Sequence, residues 1–452
     1  HTLDVAGGIV EQGGVLKENL ITNSGFDVWS NSTFVEESTL AAPVLDGANA
    51  ALAGNLVTNG GFDSNTTGWS TNGVISNEGS GQTGNCMRVT SAGGNLTASQ
   101  AVTLKKGAIY QFSAYVKAGT IHGLITFQGA DDYSSGNCTA TSWTQFTTTF
   151  VAQTTSVTMY FHSRGVGYCD YDSITLYEMV PACVANDDKA FDGWHKRGAN
   201  TDICRQHNDS TYTKDGSYYS LKVTSETSAW VTAYPSSNLV ADEVFLSKFQ
   251  GRTVTFGAWV YSTLATPEVR LSITDGSADD SSSPAQNTWT WIELTKTIST
   301  SAIYLYFQFT KSGSTAETFY ISQPMLVFGS SIGEGNYTRP QGEIINCESQ
   351  IGIVNNVTVS SDTDYNLELS TSGKLPKGVK ALHLRGYMTP NATGNWLGIH
   401  QGGGWQYLTY SPTSNVNTFN ARCTVDGDQD LSIQRSATFT NVFVGANAVE
   451  LI

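Results

Sequence analysis

Asn19 to Trp29 reads NLITNSGFDVW, and Asn55 to Trp69 reads NLVTNGGFDSNTTGW. Both copies have the form Asn-Leu-hydrophobic-Thr-Asn-X-Gly-Phe-Asp: a short strand, a glycine-assisted turn and an aromatic anchor for a core. An opening written twice indicates that the chain builds one kind of unit more than once. After the second copy come GNCMRVT (84–90), ASQAVTLKKGAIYQFSAYVKAG (98–119), TSWTQFTTTF (141–150), SVTMYFHS (156–163) and CDYDSITLYE (169–178). Another round runs from Asp192 through DGW (192–194), DGSYYSLKV (215–223), GRTVTFGAWVYS (251–262), NTWTWIELTKTI (287–298), AIYLYFQF (302–309) and TFYISQPMLVFG (318–329). Only CVANDDKAF stands before it, with no strand of the NLVTNGGF kind, whereas nothing behind NLITNSGFDVW completes a unit. The pattern predicts one discontinuous module, residues 19–45 plus 183–340, with a second module, residues 50–181, inserted in its first loop. Residues 341–452 form a further domain. Insertion is tolerated where the insert's ends lie close together. The competing arrangement makes residues 1–54 a linker ahead of two tandem modules.

Composition points to the same class. Charged residues are 14% of the chain, against about 25% in a typical protein. Glycine and small polar residues fill the gap, with 11% aromatics, which suits short twisted strands joined by polar turns. Alternation marks Tyr110 to Val116, Thr253 to Trp259, Ala302 to Phe309 and Ala381 to Tyr387, and helical periodicity is nearly missing. The expected class is all-β: jelly-roll β-sandwich modules followed by a C-terminal β-sandwich. A net charge of −15 argues against nucleic acid or an anionic membrane as partner, because both need a basic face. No apolar run reaches the roughly 18 residues of a membrane span. The seven cysteines are odd in number and lack any CxxC pair, which argues against zinc. Buried free thiols are one reading; bridges such as Cys138–Cys169 or Cys347–Cys423 in an oxidising medium are another. Eight Asn-X-Ser/Thr sequons become glycan sites only in a eukaryotic secreted protein.

The motif order after Asn55 resembles the carbohydrate-binding modules of families 4 and 9, with their opening "N-X-X-F…GW", "Q.V.L..G..Y.FS.Y.K", "W..f..tF" and closing "D..SL". The resemblance covers about 125 residues and implies a jelly roll that binds a saccharide. It also implies a structural Ca²⁺ near Asp63, after the opening Phe, and Asp172, in the closing strand, with Asp170 a further candidate. Ser322 falls at the matching place in the other module and weakens the case for an ion there. No other cofactor is expected. TLDVAGG (2–8) resembles a segment that recurs in phage tail fibres, where each chain of a trimer sends a strand into the next domain. SIGEGNYTRPQGE (331–343) resembles the exit of modules in virion appendage proteins, and LPKGVKALHLRGYM (375–388) resembles fibre-tip domains. Residues 1–18 are then a strand or linker from an upstream fibre region; the chain opens in mid-pattern at His1, as a fragment would.

Candidate ligand-binding residues are the aromatics of NWLGIHQGGGWQYLTY (395–410): Trp396, His400, Trp405, Tyr407 and Tyr410 around three glycines. Such a loop lets a ligand approach the backbone closely; a trimer interface would use the same cluster differently. Trp69, Trp143, Trp194, Trp230, Trp259, Trp289 and Trp291 lie in or beside module strands, where a sugar face stacks on an aromatic ring. Trp69 and Trp194 hold the "GW" position, which favours a core role, while Trp289 and Trp291 share one face that is core or cleft. No GxSxG, HExxH, P-loop or Rossmann pattern stands in its required context. The sequence therefore predicts a non-catalytic virion fibre or appendage protein, homotrimeric, binding a host cell-surface glycan or receptor and joined to other virion proteins through its N-terminus. The alternatives are the carbohydrate-binding region of a secreted polysaccharide-degrading enzyme, and a structural virion decoration protein without a ligand.

Overall fold

The computed structural model describes residues 18–37, 54–129, 133–184, 190–198, 201–207, 209–233, 246–340, 342–376, 378–401, 404–410, 416–425 and 430–451. The regular structure of the described residues is almost entirely antiparallel β-strand, with one four-residue helix among the elements. The expected all-β class holds. Among the described residues no helix is long and apolar enough to cross a membrane.

Strand β1 (Thr33–Glu36) precedes the first sandwich, which contains β2 (Ser70–Thr71), β3 (Val74–Glu78), β4 (Cys86–Thr103), β5 (Ile109–Ala118), β6 (Gly123–Gln128), β7 (Thr144–Val151) and β8 (Ser156–Cys183). Strands β4 and β8 run through both of its layers. Their register breaks between Ala92 and Asn95, where Gly93 and Gly94 take φ of 143° and 88°, values that side chains disfavour. On one side of the bend lies the order β7-β5-β8-β4-β3, on the other β6-β8-β4-β2. Val57, Phe62, Trp69, Phe112, Phe127, Met159, Phe161 and Leu176 pack between the layers.

The second sandwich repeats this plan. Its strands are β9 (Trp194–Arg197), β10 (Thr201–His207), β11 (Tyr219–Ser225), β12 (Ala229–Ala233), β13 (Thr253–Ser262), β14 (Val269–Thr274), β15 (Ala278–Asp280), β16 (Thr290–Thr297), β17 (Tyr306–Lys311) and β18 (Glu317–Phe328). One layer is β16-β13-β18-β11-β10, the other β15-β14-β17-β12-β9. Its core joins Phe256, Leu271, Phe307, Phe309 and Phe319 to Ile21, Phe26 and Trp29 from upstream of the first sandwich.

The repeated motif makes the same contacts twice. Asn55 Nδ2 donates to Ile174 O at 3.1 Å, and its Oδ1 accepts from Leu176 N at 2.9 Å. Asn19 Nδ2 donates to Pro324 O at 3.0 Å, and its Oδ1 accepts from Leu326 N at 3.1 Å. The turns match as well: Asn23 and Asn59 have φ of 54° and 53°, Phe26 and Phe62 of 60° and 53°.

The last domain has β19 (Ile344–Val359), β20 (Thr363–Asn366), helix α1 (Leu367–Ser370), β21 (Val379–Pro390), β22 (Trp396–Gln401), β23 (Gly404–Tyr410), β24 (Asn417–Thr424), β25 (Asp430–Arg435) and β26 (Phe439–Leu451). Its sheets are β19-β26-β21-β24 and β20-β25-β22-β23, around Leu382, Leu384, Leu397, Ile399, Ile433 and Val444. The seven cysteines are free thiols, six of them buried, so neither bridge contemplated from sequence is formed.

Candidate functional site

In β8, Val157, Met159 and Phe161 point into the first core. Alternation then turns Thr158, Tyr160 and His162 outward. Next to it in β6, Ile125 and Phe127 face inward, so Thr126 and Gln128 join the outer face. These side chains are tied together. Tyr160 OH donates to Gln128 Oε1 at 3.1 Å. His162 Nε2 lies 2.7 Å from Thr126 Oγ1, and its Nδ1 lies 2.9 Å from Asn95 Oδ1. Burial, helped by Arg164, pushes the His162 pKa down to about 4. The ring is therefore neutral near pH 7, with Nδ1–H donating to Asn95 and Nε2 accepting from Thr126. Thr97 and Asn72 extend the strip: Thr97 N donates to Asn72 Oδ1 at 2.7 Å. The result is a face with one half-exposed phenol, hydroxyl and amide groups, a buried imidazole beneath them, and the exposed Arg164 at its end opposite Asn95. A phenol flanked by hydroxyl and amide groups is the kind of surface on which a pyranose can stack. The V-T-M-Y-F-H alternation carried the signal for Tyr160 and His162, which the search for tryptophans passed over.

The tryptophans divide by burial. Trp69 and Trp194 are 8% and 0% exposed and belong to the two cores. Trp143 is half-buried, with Lys117 Nζ 5.7 Å from its ring centre. Trp259 and Trp291, 5.9 Å apart, turn away from the second core onto the outer face of β16-β13-β18, where Trp289 packs on Tyr261 at 5.6 Å. Trp230 lies on the opposite outer face, in β12.

The glycine-rich stretch near the C-terminus is a β22–β23 hairpin rather than an open loop. Its backbone register sets Trp396 opposite Tyr410, Tyr407 opposite Gly398 and Trp405 opposite His400. Trp396 is half-buried; the side chains of His400, Trp405, Tyr407 and Tyr410 lie outside the described residues.

The three aspartates separate. Asp170 is 1% exposed and accepts from Arg88 with both oxygens, at 2.7 and 3.0 Å. Asp172 is fully buried and accepts from Thr83 N at 2.9 Å and Ser173 N at 2.6 Å. Burial raises its pKa, and the nearby Asp63 carboxylate adds to the rise. Asp63 and Asp172 together offer hard oxygen donors of the kind Ca²⁺ takes. Among the described residues no third acid, His or Cys gathers with them.

Residues 54–171 match a family model described as a carbohydrate binding domain. The chain therefore carries one jelly-roll module of that type. Over 137 residues it is 32% identical to Exochitinase 1 of Streptomyces olivaceoviridis, a match covering 29% of this chain and 23% of that protein. Among solved structures, the tandem CBM22-1-CBM22-2 domain of Paenibacillus barcinonensis Xyn10C overlaps 61% of this chain and 98% of its own, at 15% identity and a TM-score of 0.26. The enzymatically active domain of bacteriophage CBA120 tailspike protein 4 overlaps 27% and 21%, at 13% identity and a TM-score of 0.24. Scores of this size fix neither ligand nor origin.

Proposed function

We propose that this chain is a non-catalytic adhesion protein of a virion fibre or appendage, which holds a host cell-surface glycan on the outer face of β6-β8-β4-β2. The observation that carries this reading is the Tyr160–Gln128 and Thr126–His162–Asn95 network on a module of carbohydrate-binding type. The groups at the centre of the face are uncharged, with Arg164 at its end, so the glycan proposed for it is a neutral one. The fibre assignment draws on TLDVAGG and NYTRP, and with it come a homotrimer and attachment through residues 1–18. Three weak sites on one trimer gain effective concentration without new contacts. The nested arrangement of 19–45 plus 183–340 around 50–181 belongs to the same reading, supported by the Asn19 contacts to Pro324 and Leu326. Asp63 and Asp172 are the proposed pair for one structural Ca²⁺. The β22–β23 hairpin, with Trp396, His400, Trp405, Tyr407 and Tyr410, is a secondary receptor contact in this reading.

A glycan array probed with the whole chain and with Tyr160→Ala tests the site. Loss of the neutral-glycan signals in the variant supports it; equal binding by both proteins removes the face from the proposal. Light scattering tests the fibre reading, and a monomer at micromolar concentration overturns it. The similarity to Exochitinase 1 favours a second reading, a binding region attached to a secreted polysaccharide-degrading enzyme. A monomer that still binds glycan through Tyr160 is the outcome expected of it.

A further inference from the structure

One outer face of the second sandwich is formed by β9, β12, β17 and β14. Val231 and Ala233 belong to the core, as do Phe307 and Phe309, and Val269, Leu271 and Ile273, and Ala229 is buried with them. The alternate residues face outward. Register aligns them in two rows across the strands. Arg197, Trp230, Thr310 and Arg270 form one; His195, Thr232, Gln308 and Ser272 form the other. Tyr306 continues the face beyond Gln308, in register with Thr274.

Trp230 is half-buried, Arg197 and Arg270 are exposed, and Tyr306 and Gln308 are half-buried. The Arg197 guanidinium lies 6.0 Å from the Trp230 ring centre. Arg270 Nε reaches Ser283 Oγ at 3.4 Å. Neither guanidinium has a carboxylate partner among the described residues. Among the described residues, register places the acid Asp280 on the face, at its outer edge opposite Ser272. Strands spaced about 4.8 Å apart put the two arginines, three strands from each other, roughly 14 Å apart with the tryptophan between them.

We infer that this face is a second, separate saccharide site, and that it takes a carboxylate-bearing oligosaccharide. The indole supplies the platform for one sugar ring. Gln308 supplies hydrogen bonds to ring hydroxyls, while Thr232 and Ser272 next to it are buried. Arg197 and Arg270 supply two planar forks, each matched to a carboxylate, at the ends of the row. The chain's net charge of −15 does not oppose this, because charges beyond a Debye length of about 8 Å are screened in physiological salt.

Titration of the full chain with oligogalacturonate, 3′-sialyllactose and neutral xylohexaose, followed by tryptophan fluorescence and calorimetry, tests the inference. At least one carboxylated probe binds, more weakly as salt rises. Trp230→Ala and the double variant Arg197→Gln/Arg270→Gln each lower that affinity tenfold or more. These side chains point away from the core, and near-UV circular dichroism confirms that the variants fold. Tyr160→Ala leaves this binding unchanged, which separates its failure from failure of the first site. Absence of binding by both carboxylated probes overturns the inference. So does equal or tighter binding of xylohexaose at this face, or retention of affinity in Trp230→Ala.

Discussion

Glu343 stands where the second sandwich, the upstream turn and the last domain meet. It is 6% exposed; its Oε1 accepts from Asn23 N, and its backbone carbonyl accepts from Leu451 N at 3.0 Å. Its Oε2 has no partner among the described residues. Burial raises its pKa to about 7, the Asn23 N–H pulling the other way. A folded pKa above the unfolded value means that the folded state keeps a proton the unfolded state has lost. Stability from this group is therefore fully present below about pH 4.5 and is lost as pH rises through about 7. Thermal melts between pH 5 and 8 should show the wild type weakening with pH, and Glu343→Gln should flatten that slope and melt higher at pH 8. A variant that keeps the wild-type slope assigns the pH dependence to other groups, of which Asp192, raised to about 6 chiefly by burial, is the first to examine. Legibility at this scale was uneven. The "GW" tryptophans read as core because an aromatic after a tight turn has nowhere else to pack. Trp230 could not be read as outward-facing: S-A-W-V-T-A alternates either way, and only Phe307 and Phe309 on the neighbouring strand decide which set is buried.

At the level of elements, the two copies of the opening turn differ in what faces their aspartate. In the first, Asp63 lies beside the buried Asp172. In the second, Ser322 stands where Asp172 does, its Oγ 3.0 Å from Ser217 Oγ. There the Arg339 guanidinium reaches Asp27, 4% exposed, at 2.7 and 3.4 Å. A side-chain cation thus occupies the neighbourhood that a metal ion is proposed to hold in the other copy. Dialysis against EDTA should lower the melting temperature of the first sandwich alone, and Asp172→Asn should abolish that shift. Arg339→Ala should leave the EDTA shift intact and cost the second sandwich about 2–3 kcal/mol, because it strands a buried carboxylate at a half-exposed pair. Melting curves that ignore EDTA remove calcium from the first sandwich. The repeat itself was legible, because a turn needing left-handed Asn and Phe keeps its residues. The arginine was not, since it lies 312 positions from the aspartate it serves.

Over the whole molecule, one long strand decides how the sandwiches are joined. β8 spans 28 residues. Its first part lies in one layer of the first sandwich and its middle in the other. Its last residues pair with β1, Thr33 facing Ala182, and with β10, Ile203 facing Cys183. The first sandwich nevertheless draws its main core from residues 57–176 alone, and its ends meet where Leu56 N donates to Leu176 O at 2.9 Å. The second cannot close in the same way. Its core needs Ile21, Phe26 and Trp29, all 0% exposed, and its closing strand needs Asn19. Removing three such side chains costs roughly 3–5 kcal/mol apiece for the aromatics, comparable in sum to the 5–15 kcal/mol that holds an ordinary domain together. A fragment of residues 54–184 should therefore melt cooperatively with native near-UV circular dichroism. A fragment of residues 190–340 should not, and supplying residues 18–37 through a flexible linker should restore it. A 190–340 fragment that folds alone would show the upstream segment to be an accessory strand, and would return the chain to modules strung in tandem.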